Sequence, residues 1–186
     1  MSRIHVIQPK DAQGRLKEIY VEIEQKRGQL AEVHKIQSLR PESIVKHMDL
    51  YMEIMFSRSE LSRAQREMIA VVVSVANQCS YCATHHGNAL LHYWKDPDTL
   101  ELLKTNFHSL GLSDKEIGLC EFAKTLTLHP EINLHEDITQ KLKSLNFSDS
   151  AILDATLVVS YFNFVNRMVL TLGVALETDG GKNYNY

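Results

Sequence analysis

The stretch Glu67-Met-Ile-Ala-Val-Val-Val-Ser-Val-Ala-Asn-Gln-Cys-Ser-Tyr-Cys-Ala-Thr-His-His-Gly-Asn88 holds both the fold and the chemistry of this chain. Its first half is an apolar run around a single carboxylate, without glycine or proline, and reads as a mostly buried helix. Its second half sets two cysteines three residues apart and a histidine four residues beyond the second. If a helix begins near Cys79, then at about 100° per residue Cys82 lies about 60° and His86 about 20° from Cys79 around the axis. The three share one stripe, while Tyr81 and His85 point elsewhere. If the chain reverses near Asn77-Gln78 into an antiparallel helix, His86 lies abreast of position 70, and Glu67 is about 4.5 Å further along the axis at about 1.5 Å per residue. The segment therefore reads as a helical hairpin that gathers a carboxylate, an imidazole and two thiols.

Outward from this hairpin the punctuation is sparse, with 8 Gly and 4 Pro in 186 residues, and the segments between are long enough for helices rather than strands. Asp11 to Arg27 carries Leu16, Ile19, Tyr20 and Ile23 at helical spacing and stops at Gly28. A second helix follows Pro41, with Ile44, Met48, Tyr51, Met52 and Met55 as its apolar stripe. Ser62 is the expected cap of the run to Ala76, Ser113 with Glu116 forms a capping box before Ile117 to Leu126, and Ser148 or Asp149 opens a final long helix. Pro97 and Pro130 mark breaks. The chain reads as all-α within a single domain: cover helices in 1–60, a core in 61–176, and a tail in 177–186. That tail, with Asp179-Gly180-Gly181-Lys182-Asn183, is expected to be poorly ordered unless a partner subunit holds it.

Composition removes several functions. Of the residues 44% are hydrophobic and 23% charged, and the formal charge is -3 with a pI near 6.3, which gives no electrostatic footprint for nucleic acid or for an anionic membrane. Met1 to Lys10 lacks the apolar run of about 7–15 residues that a secretory signal needs, so a reducing cytoplasm is the expected location. Ala151 to Leu176 is long and apolar but is interrupted by Asp154, Asn163, Asn166 and Arg167, and reads as a buried helix rather than a membrane span. Three cysteines are too few and odd in number for a disulfide-stapled module.

A weak internal repeat appears at an offset of 86 residues. Leu61-Ser62 falls on Phe147-Ser148, and Val71-Val-Val-Ser-Val-Ala-Asn77 falls on Leu157-Val-Val-Ser-Tyr-Phe-Asn163. The match implies two related helical units about a pseudo-twofold axis. Under the same shift Glu67, Cys79, Cys82 and His86 correspond to Leu153, Val165, Met168 and Leu172, so one unit holds the reactive groups and the other braces it.

Two thiols at this spacing come within disulfide range, and the N–H groups of a first helical turn favour thiolate. His86 is placed to receive or relay the thiol proton. Burial of Glu67 is expected to raise its pKa and suit it to act as a base. Each piece also has a plainer reading. The cysteines are half of a metal site, Glu67 is a surface residue beside Arg63 and Arg66, and His86 is a satisfied histidine. Cys120 reads as core packing. Asn163, Asn166 and Arg167 read as a structural set, and Tyr93-Trp94, Tyr161, Phe162 and Phe164 as core aromatics with one face open to an apolar entrance.

The pattern Glu67, eleven residues, Cys79-Ser-Tyr-Cys82, three residues, His86 resembles the active-site motif of the AhpD-like alkylhydroperoxidases within the carboxymuconolactone decarboxylase superfamily. The resemblance runs from about Leu61 through Gly173. It takes in Leu112-Ser113-Asp114 at a helix start and the closing Tyr161-Phe-Asn-Phe-Val-Asn-Arg167, and is nearest to the peroxidase-related branch. It implies an AhpD-like helical bundle that assembles as a homo-oligomer, a trimer or hexamer. It also implies that Cys82 is the peroxidatic thiol and Cys79 the resolving one, with Glu67 and His86 in the proton relay. Tyr81 stands where the best-studied pattern has a histidine, so a phenol either substitutes in a water-bridged relay or removes one member of it.

The implied activity is a thiol-dependent peroxidase with a peroxide substrate, regenerated by a lipoyl-type or thioredoxin-like dithiol, with no organic cofactor. The alternatives are a disulfide reductase without efficient peroxide turnover, or a metal-binding module. The latter would use Cys79, Cys82 and His86 with a fourth ligand from Cys120, His85 or His108. A lyase of the lactone decarboxylase type is a further option, against which the paired thiols argue.

Overall fold

The computed structural model describes residues 2–181. Among the described residues every regular element is helical. In chain order these are α1 (Gly14–Arg27), α2 (Glu32–Lys35), α3 (Pro41–Phe56), α4 (Arg63–Ala76), α5 (Ser80–Trp94), α6 (Pro97–Asn106), α7 (Asp114–Leu128), α8 (Thr139–Ser144) and α9 (Asp149–Leu172). The expected punctuation is in place. Ser62 and Ser113 form capping boxes with Gln65 and Glu116, and the Ser148 hydroxyl accepts the Ala151 N–H. Pro41 and Pro97 stand at helix starts. The first long helix begins at Gly14 rather than Asp11, after a 3-10 turn over Pro9–Asp11. Helices α2 and α8 are four and six residues long, too short for a helical period to show in sequence.

Helix α4 is the axis of the bundle. Met68 through Ser74 are all buried, which is why this segment is apolar on every face, and α5, α7 and α9 pack around it. By length and composition α9 passes as a membrane span. In the fold it is the second core helix, with Ala155, Val158, Val159, Phe162 and Val165 buried against the main cluster. A smaller cluster of Leu16, Ile19, Tyr20, Ile23, Leu30 and Ile44 fastens α1 to α3.

The two sequence repeats lie against each other. Helices α4 and α9 pack together, and the side chain of Asn77 donates to Asn163 Oδ1 at 3.0 Å, across the 86-residue offset. Gly173 ends α9 at φ 67°, a left-handed turn that glycine adopts without strain. The chain then doubles back over α5, where Asn88 donates to the Gly180 carbonyl at 3.0 Å. Residues 177–181, expected as the start of a loose tail, are instead pinned through Glu177; the rest of that tail, residues 182–186, lies outside the described residues.

Candidate active site

Three residues, Asn77, Gln78 and Cys79, make the turn between α4 and α5. Gln78 takes φ 57°, the Cys79 N–H reaches the Ser74 carbonyl at 2.8 Å, and Cys79 then stands as the N-cap of α5 with Cys82 in its first turn. Both cysteines are free and buried. The Cys82 thiol and backbone N–H both donate to the Cys79 sulfur. The thiol hydrogen bond from Cys82 lowers the Cys79 pKa, burial opposes it, and the backbone N–H adds to the lowering. Cys82 is pushed well above the ordinary thiol range by the same hydrogen bond, then by burial and by the charge on Cys79, with the Asn166 side chain pulling the other way. The two thiols titrate as a coupled pair.

Glu67 is fully buried, against the rule that leaves glutamate at the surface. Its Oε2 meets His86 Nδ1 at 2.7 Å, so the antiparallel return does bring carboxylate and imidazole together. Its Oε1 accepts from Arg63 Nε at 2.8 Å and Nη2 at 2.5 Å. The expected upward pKa shift is corrected here. Desolvation is the largest single influence and raises it, but attraction and hydrogen bonding from His86 and Arg63 together outweigh it, and Glu67 is held below its usual value. An ionised carboxylate only accepts, so His86 carries its proton on Nδ1 and keeps Nε2 as the open nitrogen. The Arg63 guanidinium lies 3.6 Å over the Phe56 ring centroid and is 3.3 Å from the Tyr51 hydroxyl. Its part was missed in the sequence, where its i,i+4 spacing to Glu67 was the available signal.

Tyr81 and His85 point away from the thiols, to Glu177. The Tyr81 hydroxyl donates to Glu177 Oε1 at 2.9 Å and accepts the Val33 N–H at 3.2 Å, while His85 Nε2 lies 2.7 Å from Glu177 Oε2. The phenol is thus engaged outside the Glu67–His86 pair, and burial pushes its pKa well up. Nothing in the sequence marked Glu177.

These groups border a cavity of about 60 Å³. Cys82 and His86 form its reactive side, and Val33, Met48, Phe162 and Val165 contribute apolar wall. Two histidines in the lining are neutral at physiological pH. Burial takes His34 down to about 3, with His47 adding repulsion, and burial takes His47 down to about 4. Tyr161 and Phe162, from the aromatic cluster, also line this cavity. Cys79 does not border this cavity.

The asparagine set is structural and also touches the site. Asn166 accepts from Asn77 at 3.1 Å, donates to Ser74 at 3.3 Å and hydrogen-bonds Cys82. Cys120 is buried on α7 with its thiol pushed up to about 12 by burial, as expected of core packing. Among the described residues no three His, Cys, Asp or Glu side chains converge as a metal-ligand set.

An all-helical bundle of this architecture is the AhpD-like fold. Residues 44–124 match the model of the carboxymuconolactone decarboxylase family. It is similar to an uncharacterized peroxidase-related protein with an alkylhydroperoxidase AhpD core from Ralstonia eutropha JMP134. The TM-score is 0.85 and the identity 24%, over 97% of this chain and 94% of that one. It is also similar to an uncharacterized peroxidase-related protein from Silicibacter sp. TM1040, with a TM-score of 0.82 and 26% identity over 97% of each chain. The debrominase Bmp8 shares the fold at a TM-score of 0.77 and 19% identity, over 96% of this chain and 94% of that one.

Proposed function

We propose that this chain is a thiol-dependent peroxidase of the alkylhydroperoxidase kind, acting through Cys82 and Cys79 with Glu67 and His86 as proton relay. The observation that supports it most directly is one cavity bounded by both Cys82 and His86, with His86 fixed by a buried carboxylate. A thiol proton passes to Nε2 of His86, and the imidazolium is stabilised by Glu67. The remaining proton shifts along the Cys82–Cys79 hydrogen bond, which leaves thiolate on Cys82 at the cavity. That sulfur attacks the peroxide, an S–O bond forms, the O–O bond breaks, and the leaving alkoxide takes the proton from His86. Cys79 then attacks the sulfenic sulfur, a disulfide forms, and water leaves. A dithiol, lipoyl-type or thioredoxin-like, returns the pair to its reduced form, as suits a reducing cytoplasm. Tyr81 enters as a positioning residue. Self-association is supported by Leu153, Leu157 and Phe164, an exposed apolar stripe on α9.

One observation favours a second reading, a disulfide reductase with slow peroxide turnover: Cys79, whose pKa is lowered by its hydrogen bonds from Cys82, does not line the cavity. The deciding experiment counts free thiols before and after one equivalent of peroxide. Loss of two thiols per subunit, abolished by Cys82→Ser, is the expected result. No loss with peroxide, but ready exchange with a small disulfide, selects the reductase.

A further inference from the structure

We propose that Glu177 fastens a clasp over Cys82 which passes small uncharged reagents to the sulfur and must open for the dithiol that regenerates the pair. The inference rests on the reading of Cys79 and Cys82 as a redox dithiol, and names what governs access to it.

The Glu177 side chain is 6% exposed although it follows α9 in an extended connection. One carboxylate joins three segments. Oε1 accepts the backbone N–H of Glu32, at the start of α2, at 2.8 Å, and the Tyr81 hydroxyl at 2.9 Å; Oε2 meets His85 at 2.7 Å. Tyr81 extends the tie by accepting the Val33 N–H. The backbone then lies flat on the imidazole, since a Cβ built on Gly181 would stand 2.7 Å from His85 Cε1. Ala31, Val33, Tyr81 and His85, the groups gathered around this carboxylate, border the same cavity as Cys82. The clasp therefore ties down residues of the cavity wall without lining the cavity itself. It comes from chain outside the motif that supplies the thiols.

Size then separates the two halves of the cycle. Cys79 and Cys82 are 1% and 2% exposed. A cavity of about 60 Å³ holds about two water molecules at about 30 Å³ each, which suits hydrogen peroxide or the hydroperoxyl end of an alkyl hydroperoxide. Its lining offers neutral histidines and apolar side chains, so an uncharged oxidant is preferred. Reduction asks for more room. A reductant thiolate must attack a sulfur of the Cys79–Cys82 disulfide, form a mixed disulfide and expel the other cysteine as thiolate. Its second thiol then displaces the first, so two electrons and two protons pass to the pair and the reductant leaves as a disulfide. With the clasp shut, neither sulfur is open to a dithiol borne on a carrier.

The test avoids peroxide altogether. The disulfide is formed with diamide, and the rate of its reduction by dihydrolipoyl-lysine borne on a peptide carrier is compared with the rate at which iodoacetamide alkylates the reduced pair, in wild type, Glu177→Gln and Glu177→Ala. Glu177→Ala is expected to speed reduction by about tenfold and alkylation by less than about threefold, with Glu177→Gln between wild type and Glu177→Ala. Reduction at the wild-type rate, or both rates rising together, overturns the clasp. Should Glu177→Ala fail to fold, Tyr81→Phe removes one tie from the other side and is expected to move the reduction rate in the same direction; an unchanged rate there counts equally against it. Peroxide that leaves the thiols untouched refutes the peroxidase without touching this result.

Discussion

Helices α4 and α9 begin alike and end differently. Each opens on a serine cap, each reaches an asparagine at the same register, and those two asparagines hydrogen-bond to each other. Beyond Asn163, α9 continues through Phe164 and Val165 to Leu172. Beyond Asn77, α4 stops, Gln78 turns left-handed and Cys79 starts a new helix. The position that is a packing valine within one helix becomes, in the other copy, a sulfur at a helix N-terminus with a backbone N–H directed at it. One break in one copy converts a bracing unit into a site for thiolate. The same contrast holds upstream, where Glu67 is fully buried and its counterpart Leu153 is 58% exposed.

The largest effect that probes this contrast comes from that upstream pair. Glu67→Gln keeps the shape but cannot hold an imidazolium at His86, and is expected to slow peroxide oxidation of the thiols by about 100-fold, measured by stopped-flow thiol loss. The mirror change, Leu153→Glu, falls on the exposed stripe of α9 and is expected to weaken self-association while leaving the rate of thiol oxidation alone. A wild-type rate in Glu67→Gln removes the carboxylate from the relay. A slowed rate in Leu153→Glu shows that the bracing copy is coupled to the chemistry.

Next in size is the seam between the copies. Asn166 has no exposed surface and joins Asn77, Ser74 and Cys82. Asn166→Ala leaves polar partners in the core and is expected to cost about 2 kcal/mol, or about 6 °C of melting temperature. It also removes the hydrogen bond that pulls the Cys82 pKa down, so the second thiol titration of the pair moves to still higher pH. Full stability in Asn166→Ala means that the hydrogen bonds of Asn166 add nothing net to the seam.

The hairpin was legible because its signals are local. An apolar run, an Asn-Gln break and a stripe of Cys79, Cys82 and His86 follow one another within residues 67–86, and the Glu67–His86 meeting follows from counting back along an antiparallel helix. What stayed hidden depends on partners far along the chain or on hydrogen direction. The depressed pKa of Glu67 needs Arg63 folded inward over Phe56, whereas the same i,i+4 pair on most helices is an exposed ornament of the surface. Glu177 reaches His85 across 92 residues, by way of the left-handed turn at Gly173. The opposite shifts of Cys79 and Cys82 turn on the hydrogen bond between the two sulfurs, and residue spacing does not encode that.

The smallest effect concerns the break itself. Gln78 is exposed and sits at φ 57°, where a residue with a Cβ loses about 1 kcal/mol relative to right-handed backbone. Glycine relieves that strain but enlarges the unfolded ensemble, an opposing term of about 0.5 kcal/mol. Gln78→Gly is therefore expected to raise the melting temperature by about 1–2 °C with unchanged thiol reactivity. Gln78→Val crowds the same turn with a branched side chain and is expected to lower stability by about 1–2 kcal/mol. The sign difference between these variants is the informative quantity. If valine is as stable as glutamine, the chain does not need the left-handed residue at this point and the break has slid along the helix. Cys79 would then leave its capping position and its titration would rise toward that of an ordinary thiol, making the first copy resemble the second.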